Sequence, residues 1–72
     1  MQIIFSDHAV ERMHARDILK LEVYATVKSP QEKVKSYRDR TIYTRKFGFK
    51  TLEVITKLEN NKLVIISAYM VK

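Results

Sequence analysis

The period of the apolar residues changes once along this chain, at Pro30, and that change limits what its 72 residues can fold into. Before Pro30, apolar residues recur at helical spacing: Ala9, Val10 and Met13, then Leu21, Val23, Tyr24 and Val27. After it, β-branched and aromatic residues alternate with polar ones, which is the pattern of half-buried strands. Pro30 enforces the boundary, because its ring disfavours the α conformation at Ser29 and it has no N–H to donate. It is the only proline and Gly48 the only glycine, so the elements follow one another closely.

These signals predict a first helix from about His8 to Arg16, capped by the side-chain oxygen of Ser6 or Asp7. Asp17-Ile18-Leu19 is the bend into a second helix that Ser29-Pro30 closes. Strands are expected over Glu32 to Tyr37, Thr41 to Phe49, Thr51 to Leu58 and Lys62 to Met70. Arg38-Asp39 forms one turn and Asn60-Asn61 another, since Asn tolerates the positive φ of a two-residue hairpin. Leu52, Val54, Thr56 and Leu58 should face the core. Leu63-Val64-Ile65-Ile66 is apolar on both faces, which places the last strand inside the sheet. The expected architecture is α+β, with two N-terminal helices packed on a four-stranded antiparallel sheet, in a single domain spanning residues 1–72.

A chain this short holds one core and no deep enclosed pocket, so its site should be a shallow surface. It has no cysteine, which removes disulfides, thiolate metal sites and cysteine nucleophiles and fits a reducing interior, the cytoplasm by default. No apolar run approaches the length of a spanning helix, and the N-terminus has no signal-like pattern. Charge is more informative. Residues 28–50 carry Lys28, Lys33, Lys35, Arg38, Arg40, Arg45, Lys46 and Lys50 against Glu32 and Asp39, which accounts for the whole net charge of +6. A concentrated positive field attracts polyanions, and nucleic acid is the usual one inside a cell. A solvated basic face kept for solubility is the alternative.

His8, Arg12 and Arg16 are four apart and share one helix face that borders Ala9, Val10 and Met13. Two guanidiniums and an imidazole in a row suit a phosphate: Arg supplies planar paired donors, and His can carry a proton near neutral pH. The same spacing also serves a solvated edge whose cations pair with Glu11, Asp17 or Glu22. Tyr69, two and four residues after Ser67 and Ile65, is expected on their face of the last strand, able to stack on a base or to hold a hydroxyl. Tyr37, Tyr43, Phe47 and Phe49 are interleaved with Arg38, Arg40, Arg45 and Lys46, and with Lys35 nearby they combine rings for stacking with cations for phosphate, as single-stranded RNA requires. About half of those rings belong to the core. His8 and His14, six apart, lie on different helix faces, so no metal site is expected.

The segments Phe5-Ser6-Asp7-His8-Ala9, Arg12-Met13, Arg16 and Ile18, then Glu22-Val23, Leu52-x-Val54-Ile55 and Val64-Ile65-Ile66-Ser67-Ala68-Tyr69 resemble the family of small domains called DUF4258. The resemblance covers nearly the whole chain. It departs at the bend, where Asp17 stands in place of the usual glycine and Leu19 in place of a hydroxyl residue. The resemblance implies a fold like that of RelE and the barnase, EndoU and colicin ribonucleases, with RNA cleavage that needs no metal or cofactor. It places the characteristic His, two Arg and terminal Tyr on His8, Arg12, Arg16 and Tyr69. The expectation is an endoribonuclease in which the ribose 2′-hydroxyl attacks the phosphate, His8 moves a proton, Arg12 and Arg16 stabilise the developing charge, and Tyr69 orients a hydroxyl or protonates the leaving oxygen. Its RNA-binding residues would be Lys35, Arg38, Arg40, Tyr43, Arg45 and Lys46, and an acidic antitoxin protein is the partner that such a toxin would have. A module that binds RNA or a protein partner without chemistry is the alternative.

Overall fold

Helix formation starts where the sequence supplies an acceptor. In the computed structural model, which describes residues 2–71, Ser6 Oγ accepts from the Ala9 N–H at 3.0 Å. Helix α1 then runs Asp7–Ala15. It stops because Asp17 takes a φ of 55°, a left-handed conformation that Asp adopts at less cost than most side chains. The Ile18 N–H thereby reaches back to the Met13 carbonyl at 2.9 Å, and the chain turns into α2, Lys20–Lys28. Leu19 at the start of α2 has no oxygen to cap it, and the Glu22 carboxylate instead accepts from the Leu19 N–H at 2.9 Å, which is half of a capping box.

Beyond Pro30 the strands are β2 (Glu32–Lys35), β3 (Arg40–Phe47), β4 (Lys50–Glu59) and β5 (Lys62–Val71). Their turns are made by residues at positive φ: Arg38 and Asp39 at 61° and 60°, Gly48 at 64°, Asn60 and Asn61 at 48° and 63°, and all but Arg38 are types that adopt it at low cost. The expected four-stranded antiparallel sheet is corrected to a five-stranded mixed one, in the order β1-β5-β4-β3-β2. The additional strand, β1 (Gln2–Phe5), pairs in parallel with β5, Ile3 opposite Leu63 and Phe5 opposite Ile65. Four residues are too few for a period of two to show. Their parallel partner also lies nearly sixty residues away, where no local signal can indicate it.

Both helices pack on one face of the sheet. Ala9, Met13, Ile18 and Val23 meet Tyr43, Leu52, Val54, Leu63, Ile65 and Ala68 in the core. Two buried hydroxyls are satisfied locally, Thr26 by the Glu22 carbonyl and Thr56 by the Thr41 carbonyl. Leu21, expected on the buried side of α2, is 77% exposed, and Thr26 takes the buried position. Leu58, expected in the core, is 56% exposed. A nine-residue helix is about 14 Å long and a ten-residue strand about 33 Å, so the helices end before the sheet does. The other face, with Val34, Ile42, Ile55 and Val64 on it, has no helix against it.

Candidate functional site

His8, Arg12 and Arg16 lie along the exposed side of α1, as their spacing predicts. Arg12 Nε donates to His8 Nε2 at 3.4 Å, a long contact at the surface. Arg16 reaches further: its Nη1 donates to the Ala68 carbonyl at 2.8 Å. Ala68 lies in the part of β5 that β1 does not accompany, since β1 stops opposite Ile65. Arg16 therefore docks the end of α1 on the bare length of β5. One of its five N–H donors is used there, and no other Arg16 side-chain hydrogen bond is formed among the described residues.

Tyr69 is in the same stretch of β5, but on a face that the sequence does not predict. β4 pairs Ile55 with Ser67 and the next residue, Thr56, with Ile65, which leaves Ile66 as an unpaired bulge. The bulge reverses the alternation. Ile65 and Ala68 point to the core while Ser67 and Tyr69 share the open face, so the expectation that Ile65, Ser67 and Tyr69 project together is corrected. On that face Tyr69 stands opposite Glu53 and its hydroxyl donates to Glu53 Oε1 at 2.6 Å. This hydrogen bond, then burial, then the Glu53 charge raise the Tyr69 phenol above its usual value, while the Arg16 cation pulls it the other way. Tyr69 is thus a proton holder at neutral pH. Glu53 is the member of this cluster that the sequence reading omits, and the only signal for it is its alternation with Leu52 and Val54, which puts it on the solvent side of a buried strand.

The four residues assigned to catalysis fall into two pairs along one edge of the sheet: His8 with Arg12, and Arg16 with Tyr69. The residues assigned to RNA also divide. Arg45 Nη1 donates to the Ser29 and Ala25 carbonyls at 3.2 and 3.4 Å, so Arg45 caps the C-terminus of α2. Its guanidinium also lies 5.7 Å from the centre of the Phe47 ring. The Lys46 N–H donates to the Gln31 side chain at 3.0 Å, and Arg38 lies 5.8 Å from the centre of the exposed Tyr37 ring. Lys35, Arg40 and Tyr43 come together with Lys33, Asp39 and Leu58 around a concavity of about 480 Å³. It occupies the end of the helix-bearing face that α1 and α2 do not reach. Tyr43, 9% exposed, forms part of its floor, and the Lys33 ammonium sits 5.4 Å from the centre of that ring.

No described helix is long and apolar enough to cross a membrane. A family model described as "Domain of unknown function (DUF4258)" matches residues 5–70. Comparison with curated proteins and with solved structures finds no match.

Proposed function

The chain belongs to the DUF4258 family, and from that premise we propose that it is an RNA endonuclease whose reacting groups line the bare edge of β5. The observation that carries this reading is the cluster at that edge: a guanidinium that uses one donor among the described residues, Arg16, beside a phenol held protonated by a carboxylate, Tyr69 on Glu53. RNA supplies its own nucleophile in the 2′-hydroxyl. The reaction then needs a base to remove the 2′-hydroxyl proton, a cation for the charge on the pentacoordinate phosphorus, and an acid for the leaving 5′-oxygen. Tyr69 is the acid, oriented by Glu53. Arg16 carries the phosphate charge, and His8, with Arg12 beside it on the same helix stripe, takes the proton. The phosphorus–O5′ bond breaks as the 2′-oxygen bond forms, and a 2′,3′-cyclic phosphate is the product. Such a substrate puts the protein at work in the cytoplasm, and a partner protein with an acidic segment would compete with RNA for the same cations.

One observation favours a second reading, an RNA-binding module without chemistry: no hydrogen bond among the described residues ties the His8–Arg12 pair to the Arg16–Tyr69 pair. Incubation of the purified protein with bulk RNA in excess EDTA decides between them. Cleavage that disappears with Arg16→Ala and His8→Ala is the expected result. Salt-sensitive binding that leaves the RNA intact would establish the module instead.

A further inference from the structure

We propose that the concavity between β2, β3 and the end of β4 is a nucleotide-binding site, separate from the β5 edge. Leu63 lines the concavity, and it lies six residues from Tyr69 along β5, or roughly 20 Å at the rise of a strand. The concavity exists because the helices are shorter than the strands they cover, so its floor is sheet surface prepared for burial and left open. Its volume of about 480 Å³ is in the usual range for small-molecule sites.

The lining specifies the ligand class. Lys33 and Lys35, opposite Tyr43 and Thr41 on the helix-bearing face, place two cations at the mouth, and the contact between Lys33 and the Tyr43 ring fixes one of them in place. Two cations suit a phosphate. The floor of Tyr43 and Leu58 is apolar, and a 56% exposed leucine on a sheet is surface that a flat ring would cover. Asp39 on the rim is an acceptor, which a phosphate repels but a ribose hydroxyl or a base amino group can use. A phosphate, a planar ring and hydrogen-bond donors together describe a nucleotide, either free or as one unit of an RNA strand. The polymer form rests on the proposed RNA reading; the site itself does not.

The test is NMR titration of the intact chain with 5′-AMP, adenosine, inorganic phosphate and a short oligoribonucleotide, read at backbone amides. The expected result is saturable shifts at Lys33, Lys35, Asp39 and Leu58 with 5′-AMP, weaker binding of adenosine and of phosphate, and a loss of at least tenfold in affinity with Lys33→Glu/Lys35→Glu. Leu58→Ala should weaken 5′-AMP several-fold and leave phosphate unchanged, and Tyr69→Phe should change neither. A tighter oligoribonucleotide assigns the site to RNA and a tighter 5′-AMP assigns it to the free nucleotide. Shifts confined to the β5 edge, or equal binding of 5′-AMP and phosphate, would overturn the proposal. Cleavage at the β5 edge is read as product, so its failure and failure of the nucleotide site are told apart.

Discussion

The two ends of the sheet hold their cations differently. At the end that carries Tyr69, Arg16 donates to the Ala68 carbonyl and Arg45 to the last carbonyls of α2, so both guanidiniums help to fix the helices in place. At the other end Lys33 and Lys35 flank a concavity that no helix reaches. Lys35 and Arg45 carry the same charge and belong to the same, helix-bearing face of the sheet, since Lys35 stands opposite Thr41 and Arg45 opposite Leu52. What separates them is helix length. A cation level with a helix end finds carbonyls to satisfy, and one beyond it faces solvent. A basic segment should therefore be read by what covers it as well as by its charge.

The largest expected effect tests the chemistry of the first end. Arg16→Ala should slow RNA cleavage by roughly 10² to 10³, the usual cost of one charge-stabilising donor. Lys35→Glu should leave the rate at saturating RNA unchanged and raise the concentration needed to reach it. Equal effects of the two on kcat would erase the distinction between the ends. Next in size, Lys33→Ala/Lys35→Ala should make the salt dependence of RNA binding shallower by between about 1 and 2 units of log–log slope, since each single-strand phosphate contact contributes about 0.7. An unchanged slope would place the RNA elsewhere.

Smaller effects act on stability. Ser6→Ala removes the cap of α1 and should cost about 1 kcal/mol, a fall of about 4–8 °C in Tm for a domain of this size. 5′-AMP binding at the far end should persist in the folded variant, and its loss would mean that the ends are coupled. The smallest effect is a pH dependence. The Tyr69 phenol is raised in the folded chain above the value near 10 of an unfolded one, so the fold favours its neutral form. That contribution is fully present below about pH 10 and is lost as pH rises through the higher folded value. Tyr69→Phe should remove this part of the alkaline loss, as thermal melts between pH 8 and 11 would register.

Much of the fold is legible in the sequence because its signals are local. Ser6 through its side-chain oxygen, and Asp17, Pro30, Asp39 and Asn60-Asn61 through their backbone preferences, each mark a boundary, and the structure places a cap, a break between elements or a turn at each. Strand β1 is not legible, since its partner is remote and its four residues carry no period. Leu58 misleads because alternation reports which face a residue takes, not whether anything covers that face. Of the site, the stripe of His8, Arg12 and Arg16 follows from helical spacing. The Tyr69–Glu53 bond does not, because it needs both the pairing of β4 with β5 and the extra residue between them.

That extra residue gives β5 one residue of slack in chain length. Ile66 is the residue that the ladder skips, so without it Ile65 and Ser67 would be neighbours in a regular strand, and Tyr69 would still stand opposite Glu53. A single-codon deletion here would straighten the strand and leave the site in the molecule. A single-codon insertion between Ile65 and Tyr69 has no such slack: in the present register it would turn the following residues over by one step and carry Tyr69 toward the core. Among relatives of this protein, a one-residue gap at this point would mark the loss of the bulge and not the loss of the tyrosine beside Glu53.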